Sequence, residues 1–220
     1  RADLPREPRP FAEELDFILR ESARYLARAP RREDVRSIWV GLRPLVRPPQ
    51  EEGAPTKALS REHAVLVSAS GLVTVTGGKW TTYRAMAEDV LAHCEKAGLL
   101  GPLGPSRTQD LPLAGAPAAG ERRPALSAPQ GPHSYGSDWP AVAALPGADR
   151  WLGAGVSEAM VRFAARHEYA RTVEDVLARR VRLLFLDAAQ AAALAPPVAA
   201  LLNEETGADP ALAPFQALAQ

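Results

Sequence analysis

Apolar residues at Phe11, Leu15, Ile18, either Leu19 or Ser22, and then Tyr25 and Leu26 recur about every 3.6 positions, which predicts an amphipathic helix over 11–28. Pro10 suits its start and Pro30 its end. Beyond it, Val35 to Val40, Ala64 to Ser68 and Leu72 to Thr76 read as strands, with Ser68-Ala69-Ser70-Gly71 as the turn between the last two. Tyr83, Met86 or Ala87, Val90 and Cys94 then fall on one face of a second helix, which Gly98 ends. The order describes an αββα-like module around a small antiparallel or mixed sheet.

The texture changes after that helix. Residues 98–136 contain seven glycines and seven prolines, too many for long regular elements, and predict a linker or surface wrap whose mobility centres on Ala114 to Arg123. From Ala154 the pattern is helical again. Ser157 is a candidate N-cap with Glu158 in the first turn, while Met160, Val161, Ala164 and Glu168 define a moderately apolar line. Thr172 can cap a further helix with Asp175 as its third residue, a variant of the capping box. That helix carries Val173, Val176, Leu177, Val181 and Leu184 on one side, Pro196-Pro197 should interrupt the series, and Val198 to Leu202 should begin another short helix. The expected fold class is α+β: a first portion over 1–97, a linker over 98–136 and an all-α domain over 137–220.

Composition narrows the functional classes. The 26 basic side chains balance the 26 acidic ones, so nothing in the net charge calls for a nucleic-acid surface. The single cysteine, Cys94, excludes an intramolecular disulfide framework and a thiolate metal cluster. No apolar run reaches the roughly 18 to 20 residues of a membrane span, and the first residues do not form an apolar signal segment. The expected location is therefore cytoplasmic, with peripheral attachment at the inner face of the cytoplasmic membrane as its variant.

The most informative run is Val73 to Arg84, where a strand, a Gly77-Gly78 turn and a helix start surround Lys79. Such a junction presents backbone N–H groups and a cation to an anion. A lysine there also opposes the helix dipole, which an anionic ligand would offset. It has neither the G-x-G-x-x-G spacing nor the longer phosphate loop of nucleotide sites. Read with Trp39 to Val46, Thr56 to His63 and Arg166 to Arg180, this run resembles the C-terminal part of FAD-dependent glycerol-3-phosphate dehydrogenase, the quinone-linked bacterial type. The likeness runs from about residue 10 to about 210 and is weakest in the middle.

The resemblance implies a site. Gly77, Gly78, Trp80 and Thr81 match the backbone that closes on the flavin, and Lys79 matches the lysine beside the isoalloxazine and the substrate. Arg43 and Arg61 match the arginines for the substrate phosphate, whose charge and three terminal oxygens suit the guanidinium fork. Taken alone, each arginine reads first as an ion-pair residue, for instance with Glu62 or Asp34. The implied reaction oxidises sn-glycerol 3-phosphate to dihydroxyacetone phosphate, with FAD accepting the hydride and quinone the electrons. The sheet module would be part of the substrate and FAD-capping region. The family's N-terminal dinucleotide-binding unit and catalytic histidine are not found in these residues. The chain alone is therefore expected to be inactive, not to retain FAD, and to self-associate through surfaces that the N-terminal portion covers. The alternative is a non-catalytic interaction or structural module derived from that enzyme.

The remaining chemistry-bearing residues carry less. His63, His93, His133 and His167 show no metal spacing; His63 reads as a satisfied structural histidine with a supporting role beside Arg61 as the alternative, and His167 as a packing residue. Cys94 reads as a buried small hydrophobe, and Ser60 and Ser68 have no triad partners. Residues 161–182 hold six arginines and three acids, the pattern of a salt-bridged helix in which Arg171 pairs with Glu174, Asp175 or Glu168.

Overall fold

The computed structural model describes residues 5, 7–42, 62–117, 120, 125 and 128–220. Among the described residues it is an α+β fold with two small antiparallel sheets. Packing divides it into two units, one formed by residues 1–40 with 113–220 and the other by residues 41–112. Composition suggested different boundaries, at 97/98 and 136/137; the packing criterion joins the first forty residues to the C-terminal part.

In the smaller unit, β1 (His63–Val67) and β2 (Val73–Gly77) form a hairpin with Val65 opposite Val75. The turn forms as its composition predicts. Gly71 takes φ +83°, its N–H donates to the Ser68 carbonyl at 3.0 Å, and the Leu72 N–H donates to Ser68 Oγ at 3.1 Å. A 3₁₀ turn (Trp80–Thr82) leads into α2 (Tyr83–Lys96), which packs along β1. None of the residues of β1, β2 or α2 is fully buried. Cys94, expected inside, is accordingly only half-buried, because a single hairpin cannot cover the whole helix face.

The core lies in the larger unit. α1 (Ala12–Ser22) is followed by turns rather than helix up to residue 28 and contributes no buried residue. Val35 to Val40, expected as a strand, forms none. Its backbone and side chains bind a helix corner instead: the Arg36 carbonyl accepts from Ala188 N–H at 3.1 Å, Ser37 Oγ donates to the Leu184 carbonyl at 2.6 Å, and Trp39 meets Phe185 edge-on at 5.5 Å. Further along, a 3₁₀ segment (Pro132–Asp138) and α3 (Trp139–Ala143) precede a short hairpin of β3 (Trp151–Gly153) and β4 (Val156–Ser157).

Ser157 caps α4 (Glu158–His167) as expected, its Oγ accepting from Met160 N–H at 3.4 Å. The helix is far more buried than its sequence suggests, since Ala159 through Ala165 all lie inside. Arg162 is among them. Its guanidinium meets Glu204 through two 3.0 Å contacts and also Glu205, while Arg166 holds Glu205 at 2.6 and 2.8 Å. These charge-assisted bonds tie α4 to the end of α6 (Ala188–Thr206), and the Arg166 hydrogen bond leads the causes that hold the Glu205 carboxyl below the usual carboxylate range.

Thr172 and Asp175 form the expected reciprocal cap, with Asp175 N–H on Thr172 Oγ1 at 3.2 Å and Thr172 N–H on Asp175 Oδ2 at 2.9 Å. The helix they open widens into a π-helical stretch (Asp175–Arg180) before α5 (Leu183–Leu186), and Val173, Val176, Leu177, Val181 and Leu184 are all buried. The salt bridges differ from those expected. Arg171 caps the Ala165 and Ala170 carbonyls at 2.9 Å, Arg179 takes Glu174 and Asp175, and Arg180 lies nearest Glu168. Pro196 and Pro197 do not break α6, which runs through both and precedes α7 (Leu212–Leu218). Both prolines face solvent, so water can satisfy the carbonyls they leave without a donor one turn earlier.

Candidate functional site

The strand, turn and helix start around Lys79 form as the sequence predicts. β2 ends at Gly77, and the chain turns through two left-handed residues, Gly77 at φ +76° and Gly78 at φ +82°. Glycine is required at both positions for internal reasons. A side-chain carbon at Gly77 would lie 2.6 Å from the Glu62 carbonyl oxygen, and one at Gly78 would lie 2.5 Å from Met86 Sδ and 3.1 Å from His63 Cβ. The turn is therefore wedged between the start of β1 and the first part of α2.

Lys79 leaves this wedge in extended conformation and caps the 3₁₀ turn, its carbonyl accepting from both the N–H and Oγ1 of Thr82 at 3.0 Å. Its side chain is exposed, and among the described residues its ammonium has no ion-pair partner. Trp80 is 86% exposed and stacks on Tyr83, with ring centroids 5.4 Å apart and planes at 27°. Thr81 is also exposed. Gly77, Gly78, Lys79, Trp80 and Thr81 thus form one edge that offers a cation and an aromatic face. Such an edge suits a negatively charged group or the border of a planar cofactor. Arg43 and Arg61 lie outside the described residues.

Behind this edge is a pair of side chains whose partnership sequence reading missed. His63 Nε2 lies 2.8 Å from Asp89 Oδ2, and the same carboxylate approaches His93 Nδ1 at 3.4 Å. His63 is satisfied as expected, but its partner is 26 positions away on α2. The signal available in the sequence is the spacing of Met86, Asp89 and His93, which places all three along one side of that helix. Groups of His, Cys, Asp and Glu suited to a metal ion are absent among the described residues.

Comparison with known proteins gives these features a family. Residues 106–213 match the C-terminal domain of alpha-glycerophosphate oxidase. The chain is 37% identical to the mitochondrial glycerol-3-phosphate dehydrogenase of Arabidopsis thaliana over 90% of its own length. It is 37% identical to the cattle protein of the same name over 94%, and 33% identical to that of the fission yeast Schizosaccharomyces pombe over 96%. It spans only 36%, 31% and 40% of the lengths of these relatives, respectively. All three are mitochondrial by name, which overturns the expected cytoplasmic location and its variant at the inner face of the cytoplasmic membrane. No helix among the described residues is long and apolar enough to cross a membrane. Matched over nine-tenths or more of its length by these dehydrogenases, the chain corresponds to the C-terminal part of a glycerol-3-phosphate dehydrogenase.

Proposed function

We propose that this chain supplies one wall of a site at which sn-glycerol 3-phosphate is oxidised to dihydroxyacetone phosphate in a longer, FAD-dependent protein, with quinone as the electron acceptor. The observation that carries the reading is Lys79: an exposed cation without an ion-pair partner among the described residues, set on a turn that two left-handed glycines hold in place. When bound, FAD supplies the two-electron acceptance that alcohol oxidation requires. Gly77, Gly78, Trp80 and Thr81 would border it. Lys79 would stabilise negative charge on the flavin or on the developing carbonyl oxygen, because a fixed cation near forming charge favours the transition state over the bound alcohol.

Arg43 and Arg61 would hold the phosphate. Two guanidinium forks match a dianion better than one lysine, and anchoring the phosphate orients the alcohol carbon for the reaction. The N-terminal portion that the relatives possess would provide the pyrophosphate grip and the base, since the glycine spacing for the former is not found here. The reading is tested by producing the full-length protein and adding sn-glycerol 3-phosphate. Stoichiometric flavin, and dihydroxyacetone phosphate formed on a quinone acceptor, are expected. A flavin-loaded protein that leaves the substrate unchanged would refute the reading.

A further inference from the structure

We propose that His63 and Asp89 are positioning residues, which fix the Gly77–Lys79 turn by clamping the start of β1 to α2. The effect on chemistry rests on the role given to Lys79 above; the clamp itself rests on geometry. His63 opens β1 and stands opposite Gly77 in the hairpin register. Its Nε2 meets Asp89 Oδ2 at 2.8 Å, so its ring bridges the strand and the helix. Gly78 packs the face that a side chain would occupy against both His63 Cβ and Met86 Sδ. Met86 and Asp89 are three positions apart on α2, so they share one face, and the hydrogen bond that holds Asp89 also sets the distance of Met86 from the turn. One turn further along α2, His93 Nδ1 lies 2.9 Å from the Asp89 main-chain carbonyl and 3.4 Å from the other carboxylate oxygen.

No residue of β1, β2 or α2 is fully buried, so core packing is not what fixes this geometry. The side chains of His63 and Asp89 remain 26% and 43% exposed, a setting in which an ion pair adds little to stability because water screens it. The value of the contact is directional. A hydrogen bond between two elements that flank a turn restricts how far the turn can drift, and a displacement of about 1 Å at a reacting group can cost up to a hundredfold in rate. Loss of the bond should therefore act through Lys79, three residues after the end of the valine-threonine run of β2, rather than through unfolding.

The test has two arms. In the first, amide resonances and hydrogen exchange of Gly77, Gly78 and Lys79 are recorded on this chain as wild type, His63→Leu, His63→Gln and Asp89→Ala. His63→Leu and Asp89→Ala are expected to move all three resonances and to speed exchange of these amides about tenfold or more. His63→Gln, which carries an amide donor of similar reach, should restore them. Unchanged resonances in His63→Leu would overturn the clamp whatever the protein catalyses. In the second arm, His63→Leu in the full-length enzyme should lower kcat for sn-glycerol 3-phosphate about tenfold or more, with flavin content, melting temperature and KM close to wild type and with recovery in His63→Gln. Loss of activity in step with flavin content, or without recovery in His63→Gln, would mean a purely structural role and overturn the proposal. A wild-type enzyme that is inactive on this substrate while the turn still responds to His63 would sink the reading of Lys79 and leave the clamp in place.

Discussion

Arg43→Ala in the full-length enzyme is expected to lower kcat/KM for sn-glycerol 3-phosphate by at least about tenfold and up to several thousandfold, with flavin content unchanged, which follows from the roughly 2 to 5 kcal/mol lost when one partner of a buried charged contact is removed. Arg43 carries the planar guanidinium proposed to take the phosphate. A phosphate dianion needs such a fork, whereas a bare hydroxyl does not. Unphosphorylated glycerol is therefore the control. A phosphate ligand affects the phosphorylated substrate far more, and if the anchored phosphate also orients the alcohol, kcat falls together with the rise in KM. Equal losses on both substrates, or wild-type kinetics for Arg43→Ala, would remove Arg43 from the phosphate site.

Leu177→Ala is expected to destabilise the larger unit by about 2 to 5 kcal/mol, the range for removing most of a leucine side chain from a packed interior. Leu177 has no exposed surface, and it sits in the π-helical stretch between Val176 and Ala178, both also buried. The bulged backbone fits those neighbours and has few ways to close over a void. In a unit of this size the loss corresponds to a fall in Tm of roughly 5 to 20 °C. Leu66→Ala is the comparison, because Leu66 is 58% exposed and its loss should stay within about 0.5 kcal/mol. Calorimetry on both variants checks this, and a Leu177→Ala melting curve that overlays wild type would contradict the core described here.

The features legible in the sequence are those decided within a few residues. The Ser68 to Gly71 turn, the Ser157 cap, the reciprocal Thr172–Asp175 cap and the glycine turn before Lys79 all form where local chemistry places them. Val35 to Val40 was misread because β-branched residues suit a strand only where a neighbouring strand is available, and here a helix corner takes the hydrogen bonds. The two prolines of α6 were misread because the damage proline does depends on whether water can reach the carbonyls it leaves unpaired. In the sequence Arg162 is only one of six arginines in a salt-bridged helical pattern, yet the carboxylates of Glu204 and Glu205, 42 and 43 positions away, make its burial possible. Distance in sequence also hid the His63–Asp89 pair behind the candidate site.

Stopped-flow reduction of the bound flavin under anaerobic conditions probes the role proposed for Lys79. Full-length wild-type protein and Lys79→Ala, each loaded with flavin, are mixed with saturating sn-glycerol 3-phosphate while the visible flavin absorbance is followed. Saturation removes differences in binding, so the observed rate reports the oxidation step itself. Rapid bleaching is expected in wild type, and a rate lower by about a hundredfold or more in Lys79→Ala, the scale on which a group that stabilises developing charge acts. Equal rates in the two proteins would remove Lys79 from that role.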